Sequence, residues 1–204
     1  MYQVMSRGDQ RADIFLSDVD RYDFIRTLAE ACQKTGWQGP AFCWMRNHYH
    51  LAVETPDGNL VCGLAWLQST YTIRLNHRHR LTGHVLSGRY QAQLVEGSGN
   101  GYLRTVGDYL HRNPVRARLL AAADRLLAYP WSSFPLYLAA PEHRPRWLRT
   151  ERVLGSVGYG HGRLDIGCPT HGKIRGPKSE EKGTFTRILL ICTNFFTTEP
   201  MIGS

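Results

Sequence analysis

The order in which strand-like and helix-like patterns alternate constrains this chain more than any other feature. Residues 41–46 (AFCWMR) and 48–54 (HYHLAVE) both read as strands, and each is flanked by a helical pattern. The first helix opens at Ser17-Asp18-Val19-Asp20, which resembles a capping box. It carries Tyr22, Ile25, Leu28, Ala29 and Cys32 at the spacing of one buried face. It stops near Gly36 and Gly39-Pro40. The second starts after Asp57-Gly58 and puts Leu60, Leu64, Leu67, Tyr71 and Leu75 on one stripe. Residues 2–6 (YQVMS) and 89–96 (RYQAQLVE) add strands, and a third helix runs from Ser98 to about Asn113. The order β-α-β-β-α-β-α predicts an α+β fold with a mostly antiparallel sheet.

A chain of 204 residues has room for one core, or two small ones. Its formal charge of +8 comes from 21 Arg and only 4 Lys. Arginine forks onto phosphate, so the excess points toward nucleic acid. The charge is uneven: residues 1–158 hold 18 of the Arg and one Lys, Lys34. We expect one domain over 1–158. The remainder, 159–204, has a different composition and reads as a flexible extension or a frameshift product. No run of 18 apolar residues is present, so no membrane partner is expected. The start MYQVMSRGDQR lacks a secretory pattern. Five scattered cysteines form no C-x-x-C pair. A cytoplasmic location fits these features.

Two segments carry chemistry. In Asn47-His48-Tyr49-His50-Leu51, strand alternation turns both imidazoles to one face, about 7 Å apart along the strand, close enough to share a divalent ion. Tyr49 and Leu51 face the other way. A structural, hydrogen-bonded histidine pair is the competing reading. In the segment Tyr102–Arg116, Leu103, Val106 and Leu110 make a buried stripe, with Tyr109 and Asn113 one turn apart at its edge. Pro114 ends or kinks the helix. The Asn113 amide oxygen is then a third candidate metal ligand, with Tyr109 beside it. An ordinary amphipathic helix would carry the same pattern.

Taken together, residues 1–140 resemble the single-tyrosine HUH transposases, and among them the REP-associated tyrosine transposases. The matching blocks are Met5-Ser6-Arg7-Gly8, Asp13-Ile14-Phe15, Asn47-His48-Tyr49-His50, Gly88-Arg89-Tyr90-Gln91-Ala92, the run Tyr109–Ala117 (YLHRNPVRA), and Tyr129-Pro130-Trp131-Ser132-Ser133. The resemblance implies a ferredoxin-like sandwich, with the HUH strand in the sheet and helices on one side. It implies that His48, His50 and Asn113 bind Mg²⁺ or Mn²⁺, and that Tyr109 is the nucleophile. It implies cleavage and rejoining of single-stranded DNA beside a hairpin, a REP-like palindrome, through a 5′-phosphotyrosine. Two positions depart from the family: Arg46 stands where Pro is common before Asn-His, and Gln3 where His is common.

The basic residues are candidates for the DNA backbone. They are Arg74, Arg78 and Arg80 at the end of the second helix, Arg89, and Arg112, Arg116 and Arg118 after Tyr109. Arg7 and Arg11 follow the first strand, where the family contacts hairpin DNA. Tyr90 or Tyr71 could stack on an unpaired base. His77, His79 and His84 read as a solvated loop rather than a second metal site. Three functions compete: an active DNA transposase, a domesticated hairpin-binding module of the same fold that no longer cuts, and a metal-dependent hydrolase that uses water. The residues leave monomer and homodimer both open.

Overall fold

The computed structural model describes residues 1–95 and 100–154. Among the described residues, four strands form one antiparallel sheet: β1 (Tyr2–Arg7), β2 (Gln38–Trp44), β3 (His48–Glu54) and β4 (Gln91–Leu94), in the order β2-β3-β1-β4. Helices α1 (Asp18–Thr35) and α2 (Leu60–His79) link the strand pairs, and α3 (Asn100–His111) follows β4. This is the α+β order expected from the patterning. β4 is shorter than the alternation predicts, and the expected helix start at Ser98 lies outside the described residues, as does the segment 159–204.

Alternation along β3 decides what lies on each face. Tyr49, Leu51 and Val53 point to one side, where α1 and α2 bury them with Phe24, Leu28, Leu64, Leu67 and Tyr71. The aromatic rings there pack mostly edge to face, with Phe24 at 4.9 Å from Trp44 and 4.8 Å from Tyr71. Gly63 lets α2 come down on this core, because a Cβ there would lie 2.0 Å from the Trp37 ring. The α1 start matches the capping-box expectation: the Asp20 carboxylate accepts the Ser17 backbone N–H at 2.7 Å.

The other face carries His48, His50 and the small Ala52. The α1 and α2 pair covers one side, as the sandwich requires, while α3 crosses the opposite side. Its Val106 and Leu110 are buried against Ala41, Ala52 and Val95. Ala41 and Ala52 leave room for a helix there, and that is what carries Tyr109 to the histidines.

Beyond α3 the chain returns to the outer edge of β2. The Trp44 N–H donates to the Trp131 carbonyl at 2.8 Å, and the Gly39 N–H to the Trp147 carbonyl at 2.8 Å. That edge of the sheet is therefore covered. Cys32, Cys43 and Cys62 are free thiols. No helix among the described residues is long and apolar enough to cross a membrane.

Candidate active site

The HUH strand, β1 and α3 converge on one corner of the sheet. His48 and His50 share a face, with ring centroids 5.1 Å apart. Strand register places Arg7 opposite His48 and Met5 opposite His50. His48 Nδ1 lies 2.7 Å from the Asn47 side-chain oxygen. With the proton on Nδ1, the Nε2 lone pair is left open. His50 is buried, and its Nδ1 has no hydrogen-bond partner among the described residues. Burial, His48 and the nearby Arg7 and Arg116 push the His50 pKa down to about 4. Burial and Arg7 also lower that of His48. Both rings are therefore held neutral near pH 7, the state that donates a lone pair.

Tyr109 leaves α3 edge-on to His50, with ring centroids 6.1 Å apart, and is 38% exposed. The Arg116 guanidinium carbon lies 4.3 Å above the Tyr109 ring centre. This is a cation–π contact that also brings positive charge to the phenol. α3 ends at His111, and after Arg112 a short helix, α4 (Asn113–Arg116), begins with Pro114 in its first turn. This break turns Asn113 and Arg116 back toward Tyr109. The Asn113 amide nitrogen donates to the carbonyls of Tyr109 (3.1 Å) and Leu110 (3.2 Å), leaving its Oδ1 outside those bonds.

The loop after β1 is held tightly. A Cβ at Gly8 would lie 2.0 Å from the Ala12 carbonyl oxygen, and Gln10 and Arg11 have positive φ of 49° and 64°. The Arg11 carbonyl accepts the Asn47 amide at 3.3 Å, which ties this loop to the residue before His48.

Two cations expected to meet DNA are engaged elsewhere. Arg74 bonds both carboxylate oxygens of Glu30 (2.9 and 3.1 Å) and the Thr27 hydroxyl. Arg78 bonds Asp20 (2.8 Å) and Asp23 (3.0 Å). These pairs lock α2 to α1, on the far side of the sheet from Tyr109. Tyr71 is fully buried and its hydroxyl donates to the Ile14 carbonyl, so it offers no surface to a base. His79 is not in a solvated loop: it bonds Asp20 at 2.8 Å. Arg46 is exposed and pairs with Asp13 at 2.9 Å. Arg11, Arg80, Arg89 and Arg112 are exposed, and Tyr90 is half-buried against the core. Among the described residues, Arg7 and Arg116 are brought to the histidine–tyrosine corner.

One pair escaped the reading of the sequence. His111, fully enclosed in α3 between Tyr109 and Asn113, lies 2.7 Å from the Ser133 hydroxyl, with Phe134 and Tyr137 against its ring. Ser133 also accepts the Phe42 N–H of β2 at 3.0 Å. Through Ser133, α3 is fastened to the sheet. The two partners stand 22 residues apart, so no local spacing signals them. Ser133→Ala should cost about 1–3 kcal/mol, because it leaves both a buried imidazole and the Phe42 N–H without their side-chain partner. The denaturant midpoint reads this loss. His111→Phe/Ser133→Ala, which removes the His111–Ser133 pair and keeps a ring in place, should recover the imidazole's share of the loss but not that of the Phe42 N–H.

Comparison with known proteins now bears on this geometry. Residues 1–113 match the model of the family described as "Transposase IS200 like". The chain belongs to the IS200-like transposases. Among solved structures, it is similar to a REP-associated tyrosine transposase bound to a REP hairpin: 13% identity, TM-score 0.52, covering 65% of this chain and 74% of that one. A putative transposase from Deinococcus radiodurans R1 aligns at 14% identity and TM-score 0.40, over 58% of this chain and 83% of that one. A search of curated proteins finds no match. Family and fold thus agree with the resemblance drawn from the motif blocks, and a transposase function follows.

Proposed function

We propose that this IS200-like transposase cuts and rejoins single-stranded DNA beside a REP-like hairpin, with Tyr109 as nucleophile. The observation that carries the reading is the corner itself. An accessible phenol lies edge-on to a buried, neutral His50, with His48 beside it and Arg116 over the ring. The hairpin bound by the similar REP-associated transposase supports the choice of substrate.

The chemistry follows from these groups. The Tyr109 oxygen attacks phosphorus, the P–O3′ bond breaks, and a 5′-phosphotyrosine and a free 3′-hydroxyl result. The phenolic proton is lost to solvent and the 3′ oxygen gains one. One phosphodiester is exchanged for another, so rejoining needs no ATP. Arg7 and Arg116 bind the scissile phosphate and offset its developing charge. The fastening of α3 through His111 and Ser133 keeps Tyr109 in line. Two neutral imidazoles, one with an orphaned buried nitrogen, and the Asn113 amide oxygen are nitrogen and oxygen donors that would suit a borderline divalent ion such as Mn²⁺ better than the harder Mg²⁺. Mg²⁺ or Mn²⁺ held by His48, His50 and Asn113 would act as a Lewis acid on the phosphate.

Labelled hairpin DNA with a single-stranded flank, incubated with the protein and Mn²⁺, should yield an SDS-stable adduct on a denaturing gel. EDTA should abolish it and fresh Mn²⁺ restore it. Cleavage without an adduct would instead indicate a hydrolase. Hairpin binding without cleavage would indicate a domesticated binding module.

A further inference from the structure

α3 covers only part of the sheet face that bears the histidines. It packs on β2 and β3, and Val106 and Leu110 close over Ala41, Ala52 and Val95. The same face of β1 and β4 continues past the helix as a row of uncharged side chains. Register fixes their order. Met5 stands between His50 and Gln91, and Gln3 between Ala52 and Gln93. Gln3 and Met5 are half-buried, whereas Gln91 and Gln93 are exposed. None of the three amides has a hydrogen-bond partner among the described residues. Two interstrand spacings put Gln91 about 10 Å from His50. The row holds no carboxylate to repel a phosphodiester, and Arg7 lies at its histidine end.

We propose that this row is a base-reading shelf for the unpaired nucleotides next to the scissile phosphate. The inference rests on the single-strand cleavage reading above. With the phosphate at Tyr109, between Arg7 and Arg116, the flanking strand lies across β1 toward β4. Met5 supplies an apolar, polarisable floor for a base plane. Gln91 and Gln93 supply paired donors and acceptors to base edges. Unpaired bases expose those edges, and a glutamine amide matches N6 and N7 of adenine in a bidentate pair. The protein itself would then choose the cleavage sequence at one or more flanking positions, through residues that do not touch the reacting atoms.

The test is cleavage of a hairpin substrate whose single-stranded flank is randomised. DNA is recovered from the adduct and sequenced, for the wild type and for Gln91→Ala/Gln93→Ala. Both substituted side chains are solvent-exposed on an edge strand, so the fold is expected to be kept. The wild type should enrich adenine about tenfold at one or more flanking positions. The double variant should reduce that enrichment to under about threefold, with hairpin affinity within about twofold of wild type. Identical profiles from the two proteins, or no base preference in the wild type, would overturn the shelf while leaving Tyr109 chemistry intact. Absence of any adduct from the wild type would overturn the cleavage reading, and the shelf with it.

Discussion

Tyr109→Phe should eliminate the SDS-stable DNA adduct, a loss of about 10³-fold or more in adduct formation rate, while hairpin affinity stays within about twofold of wild type. The substitution removes one oxygen. The phenyl ring keeps its edge contact with His50 and its place beneath Arg116. The side chain is 38% exposed, so losing the hydroxyl leaves no buried polar partner unsatisfied and costs little stability. A single-turnover assay with end-labelled hairpin reads the rate, and a filter-binding titration reads the affinity. The two readouts separate attack from docking. Residual adduct at the wild-type rate would move the nucleophile to another residue. Equal loss of binding and adduct would make Tyr109 a docking residue instead.

The histidine strand was legible because β alternation is local: His48 and His50 share a face whatever the rest of the chain does. The Ser17–Asp20 start of α1 was legible for the same reason, since its hydrogen bonds span three residues. Tertiary pairing was not legible. Arg74 and Arg78 look like open cations in the sequence, because their carboxylate partners on α1 lie 44 to 58 positions away. Tyr71 looks available for stacking until its hydroxyl is found on the Ile14 carbonyl. The face chosen by α3 could be read only in hindsight, from the small residues Ala41 and Ala52 beneath it. The same long-range placement divides the Arg excess that first suggested nucleic acid. Arg74 and Arg78 hold the two covering helices together, whereas Arg7 and Arg116 face the histidine–tyrosine corner.

That division makes Asp20 the residue whose loss should damage stability without touching chemistry. Its carboxylate is fully buried. One oxygen accepts the Leu16 and Ser17 N–H groups and the Ser17 hydroxyl, and the other accepts Arg78 and His79 at 2.8 Å each. Burial alone would raise its pKa. The bonds from His79, Ser17 and Arg78 outweigh burial and bring it below the ordinary value of 3.8. Because the folded-state pKa is depressed, this group's stabilisation is complete above the unfolded pKa and is lost as pH falls through the folded one. The wild type should therefore lose stability below about pH 4, and Asp20→Asn should lose less over the same interval. At pH 7, Asp20→Asn should cost about 3 kcal/mol, since it removes the charge that Arg78 and His79 face at the α1–α2 seam. A fall of roughly 6–12 °C in Tm would register it. Asp20 lies across the sheet from His50, so adduct formation per folded molecule at 20 °C should match wild type. A variant that melts early and still cuts at full rate would confirm that the cations of α2 serve the fold. A variant that is stable but slow would return Arg78 to the DNA.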